Sequence, residues 1–325
     1  MEVKILDRQH YSEWDRFVDT SPQGSLYGKS WFLDTLNLDY KILSIVNNNG
    51  IIAGMVLPKN ELHLYSNPLF VKYLGVFFKP YDGNPYKIES EKINICEKLI
   101  ESIEGYKTFD YFFSPDFKNW LPFYHRGYRQ QTYYSYIIDF ENKDFQTIYS
   151  GFYKSLRNEI SFAQKSELYI QHDLEFELFY DVIEKTFKRQ GGSPPFKKEK
   201  IRGFVTELSK ANAFKTFGAY TPDGRLTTMA GIGYDSRCAY LLFNGLKADN
   251  PARGANELLI SSVIEYFMSL SGKFDFEGSM LKPIESFYRK FGGVYTPYMR
   301  IWKDSLLNSL KIRGISLYKK LKYGK

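Results

Sequence analysis

Cysteine is scarce in this chain of 325 residues, which contains only Cys96 and Cys238. Neither cysteine has a partner at the spacing of metal ligands, so the sequence predicts neither a zinc site nor an iron–sulfur cluster. Two cysteines without a disulfide framework are typical of proteins in a reducing cytosol. We therefore expect no metal site in this protein.

Long apolar runs and nucleotide-binding motifs are also missing. No apolar stretch approaches the roughly 20 residues that span a bilayer, and residues 1–7 lack the basic and apolar regions of a signal peptide. The sequence has no Gly-x-Gly-x-x-Gly or Walker motif, and its four histidines show no pairing typical of a hydrolase triad. We expect a cytoplasmic protein that is neither a nucleotide-dependent enzyme nor a hydrolase.

Acidic residues are absent from residues 305–325, which hold six lysines and arginines. The net charge of the chain is +7, so only +1 remains for the other residues. A solvated basic helix is one interpretation of this tail. Peripheral contact with the inner face of a membrane is another, because the tail also carries leucines and isoleucines. Since the body is almost neutral, the charge does not favour nucleic-acid binding by the whole protein.

Apolar and aromatic residues are plentiful. Hydrophobic residues make up 43% of the chain and aromatic residues 18%, including 27 Tyr and 27 Phe. The aromatic residues are spread along the whole sequence, which favours strand-rich cores over a single aromatic binding patch. A chain of this length and composition is suited to two globular domains.

The order of predicted elements is the same in both halves of the chain. Each half reads as a β-hairpin, a strand, a helix, a strand, a short helix ending in Phe-Tyr, and a final strand. The paired segments are hairpins at residues 42–57 and 214–234, helices at 91–103 and 256–270, and strand–helix–strand segments at 107–140 and 273–303. We therefore predict an α/β (α+β) protein with two tandem mixed-sheet domains packed side by side.

Helices are predicted between the two repeats, at residues 144–165, 175–189 and 197–210. We assign them to the start of the second domain, as in most layouts of this kind. No low-complexity linker separates the halves, so we expect the two domains to be rigidly apposed. The predicted domains are residues 1–143, residues 144–304, and a basic helix or tail at residues 305–325.

Motifs in the second half carry a resemblance to a known superfamily. They are Lys154–Ile160 followed by Ala163–Lys165, then Phe187–Gly191, then Phe274–Ser279 leading to Phe287–Gly292. In this order and spacing, the second half resembles the acyl-CoA N-acyltransferase (GNAT) superfamily. The whole chain resembles its FemAB-like branch, which carries two such domains in tandem. The motifs lie within residues 150–300, with weaker agreement near Tyr27–Leu33.

The resemblance implies an N-acyltransferase without a tightly bound cofactor. Acyl-CoA or aminoacyl-tRNA would be the co-substrate, and the acceptor would be an amine on a small molecule or on a precursor of cell-envelope or polysaccharide metabolism. The chain departs from the family in two places. Its phosphate loop keeps one glycine, in Arg253-Gly254-Ala255 followed by Asn256, and no helical arm for tRNA contact is evident. A non-catalytic descendant that binds a ligand or partner is the alternative interpretation.

Two carboxylates are the candidate catalytic groups. Because side chains alternate along a strand, Asp275 and Glu277 are expected on one face, roughly 6–7 Å apart. We predict that Glu277 orients the acceptor amine or takes its proton, and that Asp275 orients or has a structural role. Both could instead cap the following helix or pair with nearby cations. The first half has Asp110 without a second carboxylate, so we expect its domain to be non-catalytic.

Further residues are expected to contact donor or acceptor. Asn244 lies on the strand before the phosphate loop, where it could help to polarise a donor carbonyl or serve as a strand-end turn residue. The expected co-substrate contacts are Asn244, Arg253, Gly254, Ala255 and Asn256, and the expected substrate contacts are Lys154, Arg157, Arg189, Gln190, Ser279 and Lys282. Salt bridges to neighbouring glutamates are the alternative role of the cations.

Overall fold

The computed structural model describes residues 2–60, 62–106, 108–189, 191–247 and 251–304. Tertiary contacts divide the chain into two compact units, one of Met1–Tyr133 with Pro297–Lys325 and one of Tyr134–Thr296. The predicted basic tail at residues 305–325 lies outside the described residues.

The first unit contains a four-stranded antiparallel sheet in the order β1–β2–β3–β4, and its β5 pairs antiparallel with the end of β12. Its elements are β1 Val3–Ile5, α1 Tyr11–Thr20, α2 Ser30–Thr35, β2 Tyr40–Asn47, β3 Gly50–Pro58, β4 Gly75–Phe78, α3 Pro85–Glu101, β5 Thr108–Phe112, α4 Leu121–His125 and the start of β6 Arg129–Asp139.

The second unit has strands in the order β6–β11–β10–β9–β8–β7, with β10 and β11 parallel and the other pairs antiparallel. Its elements after β6 are α5 Phe145–Ser150, α6 Lys154–Lys165, β7 Tyr169–His172, α7 Phe176–Arg189, α8 Lys198–Lys210, β8 Phe214–Tyr220, β9 Leu226–Tyr234, β10 Ala239–Leu246, α9 Ala255–Phe267, β11 Lys273–Asp275, α10 Lys282–Arg289 and β12 Val294–Asp304, which ends in the first unit.

The repeated order of elements is confirmed, because both hairpins, their following strands and helices, and the final strands form as predicted. The last strand of each repeat, however, begins in one unit and ends in the other. Residues 137–139 of β6 pair with β11, while residues 300–304 of β12 pair with β5. The contacts therefore place the boundary inside β6, ten residues before the predicted one at 143/144.

The predicted single helix at residues 144–165 is wrong. It is divided into α5 and α6, because Tyr153 adopts an extended backbone and donates its N–H to the carbonyl of Lys290 at 2.8 Å. Phe152 enters the core between the two helices. Gly292 also packs so closely on the Gly151 carbonyl that a Cβ there would lie 2.6 Å from it. A contact far along the chain thus interrupts the helical pattern.

In the first unit, a gap between β4 and the chain after β5 is bridged by one side chain. The buried Gln23 accepts the N–H of Phe78 at 3.1 Å and donates to the carbonyl of Asp116 at 3.0 Å. Phe113 covers Gly75 at the base of this gap. The two segments are therefore tied together across the space between them.

Replacing Gln23 with leucine is expected to lower the free energy of unfolding by about 2–3 kcal/mol, because a buried donor and acceptor lose their partners. Chemical denaturation measures this change. Gln9 is exposed, so Gln9→Leu is the control with an expected change below about 0.5 kcal/mol. Equal stabilities of the two variants would contradict the bridging role of Gln23.

Candidate functional site

Two neighbouring parallel strands of the second unit diverge. β10 and β11 pair only through Ala239 with Phe274 and Tyr240 with Asp275. Beyond that point β10 continues to Leu246 and, within the described residues, has a strand partner only on the β9 side. We call the region between β10 and the chain that follows Asp275 the β10–β11 slot.

Asp275 lies at the closed end of the slot and is buried, with 1% of its surface exposed. A single carboxylate oxygen, Oδ1, accepts two hydrogen bonds. One comes from the Ser135 hydroxyl, and the other comes from the Glu277 N–H at 2.7 Å. The strand ends at Asp275, so the expected alternation that would place Asp275 and Glu277 on one face does not continue. The short strand ends there because the Asp275 side chain takes the backbone N–H two residues later.

Glu277 and Gly278 both have left-handed backbones, with φ of 56° and 66°. A Cβ on Gly278 would lie 1.9 Å from the Tyr134 carbonyl, so only glycine fits. Glu277 is only partly buried, and its carboxylate interacts electrostatically with Tyr288 of α10. Burial and then the Glu277 charge raise the pKa of the Tyr288 phenol above its usual value. The left-handed backbone at these two residues therefore directs Glu277 away from the line of the strand and brings it near Tyr288.

The amide of Asn244 joins β10 to the start of α9. It donates to the Met229 carbonyl at 3.0 Å and to the Asn256 side chain at 2.9 Å, and Asn256 also accepts from Thr228 at 3.0 Å. Asn244 and Asn256 therefore lie side by side, and their contact with a co-substrate stays a prediction. Their bonds hold the end of β10 against the first turn of α9.

The single glycine of the predicted phosphate loop packs against α6. Gly254 has φ of 74° and precedes Ala255, the first residue of α9, which is buried. A Cβ at this position would lie 2.2 Å from the Glu159 carbonyl. Arg253 binds the Glu159 carboxylate through two bonds of 2.8 Å and lies 4.3 Å from the Phe162 ring. These bonds lower the pKa of Glu159 below its usual value.

A broad open groove of about 1260 Å³ lies where β10 ends. Its walls come from the last turns of α7, the β8–β9 turn, and the residues that lead into α9. We call it the basic groove, because its lining includes six cations: Lys185, Lys188, Arg189, Arg225, Lys247 and Arg253. Arg189 is also fixed to the end of β10, since it donates to the Leu246 carbonyl.

Carboxylates offset part of this charge. Burial alone would raise the pKa of Asp181, but hydrogen bonds from Lys247 and Lys185 lower it. Arg225 pairs with Asp223 at 2.7 Å, and Arg253 pairs with Glu159. Among the described residues, the lining of the groove holds six cations and no carboxylate, and three of the cations' partners are carboxylates, which leaves this part of the surface positively charged. Such a surface favours an anionic ligand.

The structure brings only some of the predicted contacts to the basic groove. Arg189 and Arg253 line it, whereas Lys154 is exposed on α6 and Arg157 donates to the Ser150 carbonyl at 2.6 Å. Ser279 accepts the Leu281 N–H at 3.1 Å, beside Lys282 at the start of α10. Gln190 lies outside the described residues.

The sequence analysis missed four cations of the groove, Lys185, Lys188, Arg225 and Lys247. Lys185 and Lys188 could have been found, since they are three residues apart on one helix and precede Arg189. Arg225 and Lys247 gave no such signal, because only the tertiary structure brings the β8–β9 turn to the end of β10. Among the described residues, no group of three His, Cys, Asp or Glu side chains is placed to hold a metal ion. No described helix is both long and apolar enough to cross a bilayer.

Sequence comparison finds no matching family model, and no curated protein matches the chain. Solved structures do match its fold. FemX has a TM-score of 0.67 at 11% identity, covering 92% of this chain and 97% of FemX. L-PGS from Bacillus licheniformis has a TM-score of 0.54 at 12% identity, covering 94% and 95%. A tandem GNAT protein from the clavulanic acid biosynthesis pathway has a TM-score of 0.50 at 10% identity, covering 93% and 97%. The chain therefore has a FemAB-like, GNAT-type fold.

Proposed function

We propose that this protein is an N-acyltransferase whose reaction takes place in the β10–β11 slot. The acceptor amine attacks the acyl carbon, a C–N bond forms, and the C–S bond of a thioester or the C–O bond of an aminoacyl ester breaks. Glu277 accepts the proton that the amine loses, and that proton ends on the leaving sulfur or oxygen. Backbone N–H groups of β10 beside the slot stabilise the developing oxyanion.

The observation that carries this proposal is the divergence of β10 from β11 next to the basic groove. An acyl group threaded between the strands would lie between the β10 edge and Glu277, while its carrier would lie outside, at the end of β10. Carriers of activated acyl groups, such as coenzyme A and tRNA, are polyanions. The six cations of the groove supply the complementary charge.

The donor is acyl-CoA or aminoacyl-tRNA, and the acceptor is an amine on a small molecule or on an envelope precursor. The envelope context rests on the resemblance to the FemAB-like branch. We expect the basic groove, with its volume of about 1260 Å³, to receive the diphosphate of coenzyme A or the end of a tRNA acceptor stem. One glycine in the loop before α9 limits the number of backbone amides that can surround a diphosphate.

A thermal-shift experiment tests the donor. Acetyl-CoA, a long-chain acyl-CoA and a pool of aminoacyl-tRNA are each added to the full chain. A bound donor at 100 times its dissociation constant stabilises the protein by about 2.7 kcal/mol, which corresponds to a rise in Tm of roughly 5 °C. We expect Lys188→Ala to reduce this rise, and Lys87→Ala, on α3 of the first unit, to leave it unchanged. No shift with any donor would contradict the proposal.

A non-catalytic binding protein of the same fold is the second candidate. One contact favours it, because Gly254 packs so closely on α6 that its backbone is not open to a phosphate as the family pattern requires. This candidate predicts that anionic ligands bind in the basic groove without any transfer to an amine. Stabilisation by a donor with no transfer to a panel of primary amines would favour it.

A further inference from the structure

A buried serine on β6 lies behind the candidate base. Ser135 has no exposed surface, and its hydroxyl donates to the carboxylate of Asp275, 140 residues further along the chain. The same carboxylate oxygen accepts the backbone N–H of Glu277. Ser135 is therefore connected to the Glu277 backbone through one carboxylate.

This connection fixes a backbone conformation that a glutamate rarely adopts. A left-handed backbone costs a non-glycine residue roughly 1–2 kcal/mol, so surrounding contacts must hold Glu277 at its φ of 56°. Two contacts do so. Asp275 holds the Glu277 N–H on one side, and Gly278 lies flat against the backbone of Tyr134 and Ser135 on the other.

We propose that Ser135 is a positioning residue for Glu277, acting through Asp275. The Ser135 hydroxyl keeps the Asp275 carboxylate in the orientation that receives the Glu277 N–H. That bond keeps Glu277 turned out of the strand, and under the proposed function its carboxylate serves there as the base. The effect of Ser135 on catalysis rests on the proposed acyltransferase function, whereas its effect on the Glu277 backbone does not.

Hydrogen exchange and kinetics test the two parts separately. In Ser135→Ala, we expect the Glu277 backbone N–H, followed by NMR, to exchange at least tenfold faster, while amides of β9 and β10 keep their protection. With the donor found by thermal shift, kcat is expected to fall about tenfold and KM to change less than twofold. Ser135→Thr keeps the hydroxyl and is expected to recover most of both losses.

Ser261→Ala is the control, since Ser261 is a buried serine on α9 of the same unit. Its kcat and its Glu277 exchange are expected to match the wild type. Unchanged exchange of the Glu277 amide in Ser135→Ala would overturn the proposal, whatever the activity. Faster exchange with an unchanged kcat would overturn the positioning role in catalysis. Should Ser135→Ala not fold, Asp275→Ala gives the same readout, because it removes the oxygen that accepts both bonds.

If no donor is turned over by the wild type, the exchange experiment still decides the link from Ser135 to Glu277. Faster exchange would then support the positioning of Glu277, while the missing turnover would contradict the acyltransferase function alone. The two failures are therefore distinguishable.

Discussion

Replacing Glu277 with glutamine is expected to lower kcat by at least tenfold, and by as much as roughly 100-fold, because glutamine cannot accept the proton that the amine loses. The side chain keeps its shape, so the thermal midpoint is expected to stay within about 2 °C of the wild type. Transfer of a labelled acyl group from the stabilising donor to a panel of primary amines measures the change.

Glu265→Gln is the matched control, because Glu265 is an exposed glutamate on α9 of the same unit. Its kcat is expected to equal that of the wild type. A Glu277→Gln protein with full turnover would remove Glu277 from the reaction. It would leave the β10–β11 slot without its proposed base.

Replacing Gly254 with alanine is expected to lower the free energy of unfolding by about 3 kcal/mol or more. The new Cβ would have to occupy a left-handed backbone, which costs roughly 1–2 kcal/mol, and would lie 2.2 Å from the Glu159 carbonyl. Backbone cannot move aside as a flexible side chain does, so overpacking adds roughly 1–3 kcal/mol. Chemical denaturation, followed by a spectroscopic probe placed in the second unit, measures the loss.

Gly127→Ala separates the two costs. Gly127 has φ of 75°, almost the value at Gly254, but a Cβ there would have no atom within 4 Å. The Gly127→Ala protein is therefore expected to lose only the backbone cost of roughly 1–2 kcal/mol. Equal losses in both variants would show that α6 gives way, and that Gly254 is not fixed by packing on it.

The elements of both repeats could be predicted from the sequence because their signals are local. The turn at Asn47–Gly50 fixes the first hairpin through a hydrogen bond from the Asn49 N–H to the Asn47 side chain at 2.8 Å. Helix α3 begins at Pro85, with Asn84 accepting the Lys87 N–H at 3.2 Å. This start lies six residues before the predicted one at residue 91. The prediction relied on the apolar pattern, which is weak in the first turns of the helix, and did not use the capping signal of Asn84 and Pro85.

The candidate site could be predicted only in part. Glu277, Asn244 and Arg253 were chosen from motif positions, and their roles remain predictions. The burial of Asp275 could not be predicted, because it depends on Ser135 and on the end of the strand. The expected alternation of side chains assumed a strand that continued to residue 278.

The sequence by itself determined the repeated order of hairpin, strand and helix, because each element depends on residues within a few positions of one another. The tertiary structure decided which residues meet. It placed the ends of β6 and β12 in different units, joined Ser135 to Asp275 across 140 residues, and gathered six cations from three segments around the end of β10. The physical reason is that burial, close backbone approach and summed charge depend on long-range contacts, which a local pattern does not specify.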